Sequence, residues 1–176
     1  MVAAHLGTDT VEHEIRIAAR PETVFGYFTD PARMVEWFGA DATLDPRPGG
    51  ICRITFASSV TAFDTLAPLV NADGPAPPPV QAIVMSGRFV EVEPYHRLAF
   101  TWGWEQQFMA LPPQSTLVTV SLDLHGDGGT LLRVVHGRLP EPSKAFHAAG
   151  WEHYLRRLAD AAAGRSPGAD PLQRAD

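Results

Sequence analysis

The stretch from Ser143 to Ala163 limits what this chain can fold into more than any other. Trp151, Tyr154, Leu155, Leu158 and Ala162 recur at i, i+3, i+4, i+7 and i+11, one face of a helix. Glu152, His153, Arg156, Arg157 and Asp160 fill the opposite face. Pro140 and Pro142 stop whatever precedes, Ser143 is placed to act as N-cap, and Gly164 followed by Pro167 ends the run. A helix from Lys144 to Ala163 would be about 30 Å long. Almost everything before it reads as strand, which predicts an antiparallel sheet wrapped around one long C-terminal helix.

The strand pattern begins at Val11, where Val11, His13, Ile15 and Ile17 alternate with Glu12, Glu14 and Arg16. Pro21 and then Asp30-Pro31 start two short helices, because proline suits the first helical position and aspartate caps it. Strands are expected at 40–44 and 51–56, joined by the turn Asp45-Pro46-Arg47-Pro48-Gly49-Gly50. Further strands are expected at 81–92, 97–104, 115–124 and 130–136. Between Ala57 and Val80 the alternation is lost, and Asn71 to Pro79 is a loop by composition. The fold class is therefore α+β: a curved antiparallel seven-stranded sheet, two short helices after its first strand, and the long helix last. One domain is expected over 11–164, with 57–80 as a Pro-rich insertion loop and flexible termini at 1–10 and 165–176. A long helix and two short ones do not fill the concavity of such a sheet, so a cavity between helix and sheet is expected.

Composition removes several function classes. The net charge is −6 with no basic run, which argues against a nucleic-acid partner or an anionic membrane surface. The single cysteine, Cys52, excludes an internal disulfide and fits a reducing compartment. Met1 to Thr10 lacks the pattern of a signal peptide, and no apolar run reaches the roughly 20 residues of a membrane span. A cytoplasmic protein is expected. The seven histidines include no H-x-H, H-E-x-x-H or Cys/His cluster, so neither a metal nor another cofactor is implied.

Several pieces then fall into a known order: Pro21-Glu22-Thr23-Val24-Phe25, Asp30-Pro31, Trp37, Asp45 to Gly50, Gly87, and Glu91-Val92-Glu93-Pro94. Leu98-Ala99-Phe100-Thr101-Trp102, Gly129-Thr130, and Gly150-Trp151 with Leu155 and Leu158 complete the set. With these pieces the chain resembles the START/birch-pollen-allergen (SRPBCC) superfamily, the helix-grip fold. Within it, the chain is similar to the bacterial branch like the C-terminal domain of the activator of heat-shock protein 90 ATPase. The insert at 57–80 departs from the family's usual short hairpin. The superfamily includes lipid and hormone carriers, aromatic polyketide cyclases and chaperone cofactors, and no catalytic motif is shared across this branch to carry over.

Candidate site residues follow from the expected faces. Trp102 and Trp104 share a strand face with Phe100, while Phe25, Trp151 and Tyr154 lie on helical apolar faces. They are the wall candidates for a planar apolar ligand, against the simpler role of filling a wide concavity. His13 shares a face with Val11 and Ile15, and His136 with Leu132 and Val134. Each could orient a ligand head group or move a proton, or be a core histidine bonded to backbone or hydroxyl. Gly150, inside the helix, costs about 1 kcal/mol against alanine and predicts a close approach there. The leading reading is a binding module without catalytic residues, holding a small hydrophobic or aromatic molecule. The alternatives are a cyclase/aromatase-type enzyme on polyketide-like substrates and a chaperone cofactor stimulating a heat-shock-protein-90-type ATPase. A homodimer through an edge strand completes the candidate partners.

Overall fold

The computed structural model describes the backbone of residues 3–6 and the full residues 9–57, 82–106 and 111–173. Beyond Ala57 the Pro-rich insert expected at 57–80 lies outside the described residues. Eight strands form one antiparallel sheet: β1 (Ala3–Leu6), β2 (Val11–Ile17), β3 (Asp41–Leu44), β4 (Ile51–Ala57), β5 (Ala82–Glu93), β6 (Arg97–Trp102), β7 (Thr116–His125) and β8 (Gly129–Gly137). Their spatial order is β1-β2-β8-β7-β6-β5-β4-β3. All seven expected strands are present. The eighth, β1, pairs with β2 within the segment expected to be a flexible terminus, where backbone hydrogen bonds can form whatever the side chains are.

Alternation decides which side of each strand is wet. Val11, His13 and Ile17 of β2 are buried while Glu14 is exposed, and Thr116, Val118, Val120 and Leu122 of β7 are buried. The ladder is irregular where β5 pairs with β6. A bulge between Phe89 and Glu91 breaks the register, and at Gly87 a Cβ would collide with the Thr101 carbonyl. Only glycine allows the two strands to approach that closely.

Helices α1 (Pro21–Thr29) and α2 (Pro31–Met34) interrupt the sheet after β2, each with proline in its first turn. The Asp30 side chain accepts a hydrogen bond from Ala32 N at 2.9 Å, the expected cap. The long helix α3 (Glu141–Ala162) lies across the concave face, packed along β2, and ends at Gly164 with φ +78°. It starts three residues before the expected Lys144, since Pro142 falls in the first turn, where no backbone N–H is needed. Ser143 is not the N-cap; it is buried, and its hydroxyl donates to Pro140 O at 2.7 Å.

Two further expectations are corrected. At Gly150 a Cβ would meet nothing within 4 Å among the described residues, so no close approach requires the glycine. The segment after Gly164, expected to be a flexible tail with no core to join, is tied down through Gln173. Arg157 donates to Pro167 O at 3.3 Å and Gly168 O at 3.0 Å, and His153 bonds Asp170 at 2.9 Å. Gln173 Oε1 accepts from Ala57 N at 3.4 Å, and Leu172 packs on the core. The wet face of α3, which the periodicity assigned to solvent, supplies these anchors.

Candidate functional site

Between α3 and the sheet lies an aromatic cluster centred on Phe38, from the turn between α2 and β3. Its ring stacks on Trp37 at 4.7 Å and on Trp151 at 5.5 Å. The edges of Tyr154 and Phe56 meet it at 4.9 and 5.1 Å. Trp102 lies 6.0 Å from Phe38, 5.3 Å from Trp104 and 5.7 Å from Trp151. Edge-to-face and offset pairs of this kind add about 0.5–1.5 kcal/mol each beyond the area they bury. Four of the expected wall residues, Trp102, Trp104, Trp151 and Tyr154, therefore come together. Phe25 does not join their ring contacts; on α1 it meets the edge of Tyr95 at 5.5 Å.

Phe38, Phe56 and His147 belong to the cluster and were missed in the sequence. Phe56 follows Cys52 and Ile54 on the buried side of β4, a signal that strand alternation contained. His147 precedes Trp151 by four residues, so the helical period already placed it on the inner face.

His136 is fully buried and uses both ring nitrogens. The Thr116 hydroxyl donates to Trp102 O at 3.0 Å, which leaves its oxygen to accept from His136 Nε2–H at 2.8 Å. The other nitrogen, Nδ1, accepts from Trp151 Nε1–H at 3.1 Å. This chain of bonds sets the tautomer: a second proton on His136 would face the indole N–H. Burial, and then the neighbouring His147, hold its pKa well below the ordinary value. His136 is a neutral linker joining β6, β7, β8 and α3.

His147 differs. Its Nδ1–H donates to Ser143 O at 2.7 Å, so Nε2 keeps a lone pair, and that nitrogen has no partner among the described residues. Burial lowers the ring to about 4, opposed in part by the bond to Ser143. Trp102 Nε1–H, a donor only, is likewise buried and unpartnered. The Trp102 and His147 rings lie 6.1 Å apart at 80°. His13 sits on β2, outside these ring contacts. Both of its nitrogens lack a hydrogen bond among the described residues, and the Ala148 backbone lies beside it without completing one. Burial lowers its pKa, against the Glu152 carboxylate and the Ala148 backbone, which favour the charged form.

Tyr154 is pushed up by burial and by the Asp170 carboxylate beside it, and so remains a neutral phenol. Cys52 is buried and its thiol is pushed up to about 12, too high for a nucleophile. Among the described residues no group of three His, Cys, Asp or Glu converges as a metal would require. No described helix is long and apolar enough to cross a membrane.

The family model described as activator of Hsp90 ATPase homolog 1-like protein matches residues 18–68 and 76–163. This chain belongs to that family. An AHSA1-like protein of Rhizobium etli, solved by NMR, is 36% identical over 100% of this chain and 95% of its own, with a TM-score of 0.62. The fold is shared more distantly with DynU16, a protein of the dynemicin biosynthetic locus, at 23% identity and a TM-score of 0.67. That match covers 93% of this chain but 51% of DynU16, about half its length. CalU16 from Micromonospora echinospora is 22% identical over 92% of this chain and 83% of its own, at 0.61. No curated protein is matched. The family match breaks between 68 and 76, inside the expected insert, and ends at 163, one residue past the end of α3.

Proposed function

We propose that this AHSA1-like chain is a binding module that holds a small hydrophobic or aromatic molecule between α3 and the sheet. The observation that carries the reading is a pair of polar atoms inside the aromatic cluster, His147 Nε2 and Trp102 Nε1, that have no hydrogen-bond partner among the described residues. Buried polar groups without a partner cost about 1–3 kcal/mol each, and apolar walls with a few convergent polar groups are the ordinary composition of a ligand site. The acid–base enzyme has weaker support. His136 uses both nitrogens, and His147, at about 4, is a weak base near neutral pH.

Native mass spectrometry of the freshly purified protein, compared with its denatured mass, tests the reading. A retained non-covalent adduct is expected. Thermal melts over a panel of aromatic ligands supply the second arm. A ligand at about 100 times its Kd adds about 2.7 kcal/mol, which for a chain of this size raises Tm by about 5–10 °C. A clean apo mass together with no shift across the panel rejects the proposal.

A further inference from the structure

The Trp102–His147 pair says what kind of head group would belong there. The two valences left open among the described residues are one donor and one acceptor, and both rings are uncharged at neutral pH. The rings are fixed from opposite sides of the interior. Trp102 is on β6, with its backbone carbonyl held by Thr116, and His147 is on α3, with Nδ1 tied to Ser143. His136 lies beside both, 5.1 Å from His147 and 5.4 Å from Trp102, but its bonds to Thr116 and Trp151 leave it no valence to offer. Lys144, three residues before His147 on the same buried face, has its ammonium on Glu141 at 2.6 Å.

A carboxylate only accepts, so it could take the indole N–H but would set its lone pairs against those of His147 Nε2. A ketone accepts from the indole and leaves the imidazole unpaired, and an ammonium does the reverse. A hydroxyl does both: its oxygen accepts from Trp102 Nε1–H while its proton goes to His147 Nε2. We propose that the Trp102–His147 pair is a head-group subsite that selects ligands carrying a neutral hydroxyl, phenolic or alcoholic, over the matching hydrocarbon or carboxylate. This rests on the reading above that an apolar molecule is held between α3 and the sheet. The apolar body would lie against Trp104 and Phe56, whose rings are 5.9 Å apart.

The test uses the full chain with three probes of one skeleton: naphthalene, 1-naphthol and 1-naphthoate, followed by calorimetry or tryptophan fluorescence. 1-Naphthol is expected to bind about tenfold more tightly than naphthalene, and 1-naphthoate more weakly than either. In His147→Leu and in Trp102→Phe the naphthol-to-naphthalene ratio should fall to about one, because each removes one of the two bonds. A wild-type readout guards against a variant that fails to fold. In ¹⁵N spectra of the histidine side chains, the His147 Nε2 resonance should move with 1-naphthol and stay still with naphthalene. Equal binding of naphthol and naphthalene with a stationary Nε2 signal would mean that water satisfies the pair, which overturns this proposal and leaves the binding module standing. If no probe binds and the native mass spectrum carries no adduct, the binding module fails and the subsite with it.

Discussion

A methyl group at position 150 would meet open space, and that makes Gly150 a test of why the residue is there. With no described atom within 4 Å, the glycine only adds backbone freedom to the unfolded chain. Gly150→Ala should stabilise the protein by about 0.5–1 kcal/mol, raising Tm by about 1–4 °C in a thermal melt. A lower Tm would show that something outside the described residues packs against that side of α3. The same scale separates the two histidines of the cluster. His136 has the satisfied-core environment that the sequence left open as one of two readings. His147 has an acceptor without a partner among the described residues, and in the sequence only its place one helical turn from Trp151 marks it. Periodicity gives the face of a side chain; hydrogen bonds between distant elements give its chemistry.

Element by element, α3 does more than fill the sheet. Its inner face carries the cluster, and its outer face binds the segment that follows Gly164. Asp170 is the centre of that latch: burial alone would raise its carboxyl, but bonds from His153, Gln173 and the Leu172 N–H outweigh burial and hold it at about 2 instead of 3.8. A carboxyl depressed in the folded state adds stability above its ordinary pKa and loses it as pH falls through the folded value. The strap should therefore stay docked at neutral pH and release between about pH 4 and 2. At neutral pH, Asp170→Asn should speed hydrogen exchange at the Leu172 amide about tenfold while the α3 amides keep their protection. An unchanged Leu172 rate would remove Asp170 as the latch. In the sequence, Arg157 and His153 carried no sign of this role, because a polar helical face looks the same whether water or chain covers it.

For the whole molecule, three buried histidines, His13, His136 and His147, are held neutral by burial. Their folded pKa values lie below the ordinary 6.5, so the unfolded chain binds more protons as pH falls, and stability falls with it. The loss should begin near pH 6.5 and continue to about pH 4, where His147 itself titrates. Each histidine contributes a slope of up to about 1.4 kcal/mol per pH unit. Urea midpoints measured across this window should drop steadily, and a flat profile would contradict neutral burial. Sequence alone determined the α+β class, the seven core strands, both short helices and the inward faces of Trp102, Trp104, Trp151 and Tyr154. These follow from local signals of period 2 or 3.6, from proline and aspartate at helix starts, and from paired turn residues. Tertiary structure alone decided that Phe38 is the centre of the cluster, that Phe25 lies outside its ring contacts, and that the segment after Gly164 is strapped to α3. It also decided that His136 is saturated while His147 is not. Such facts depend on which distant residues meet across the fold, and no local period records that.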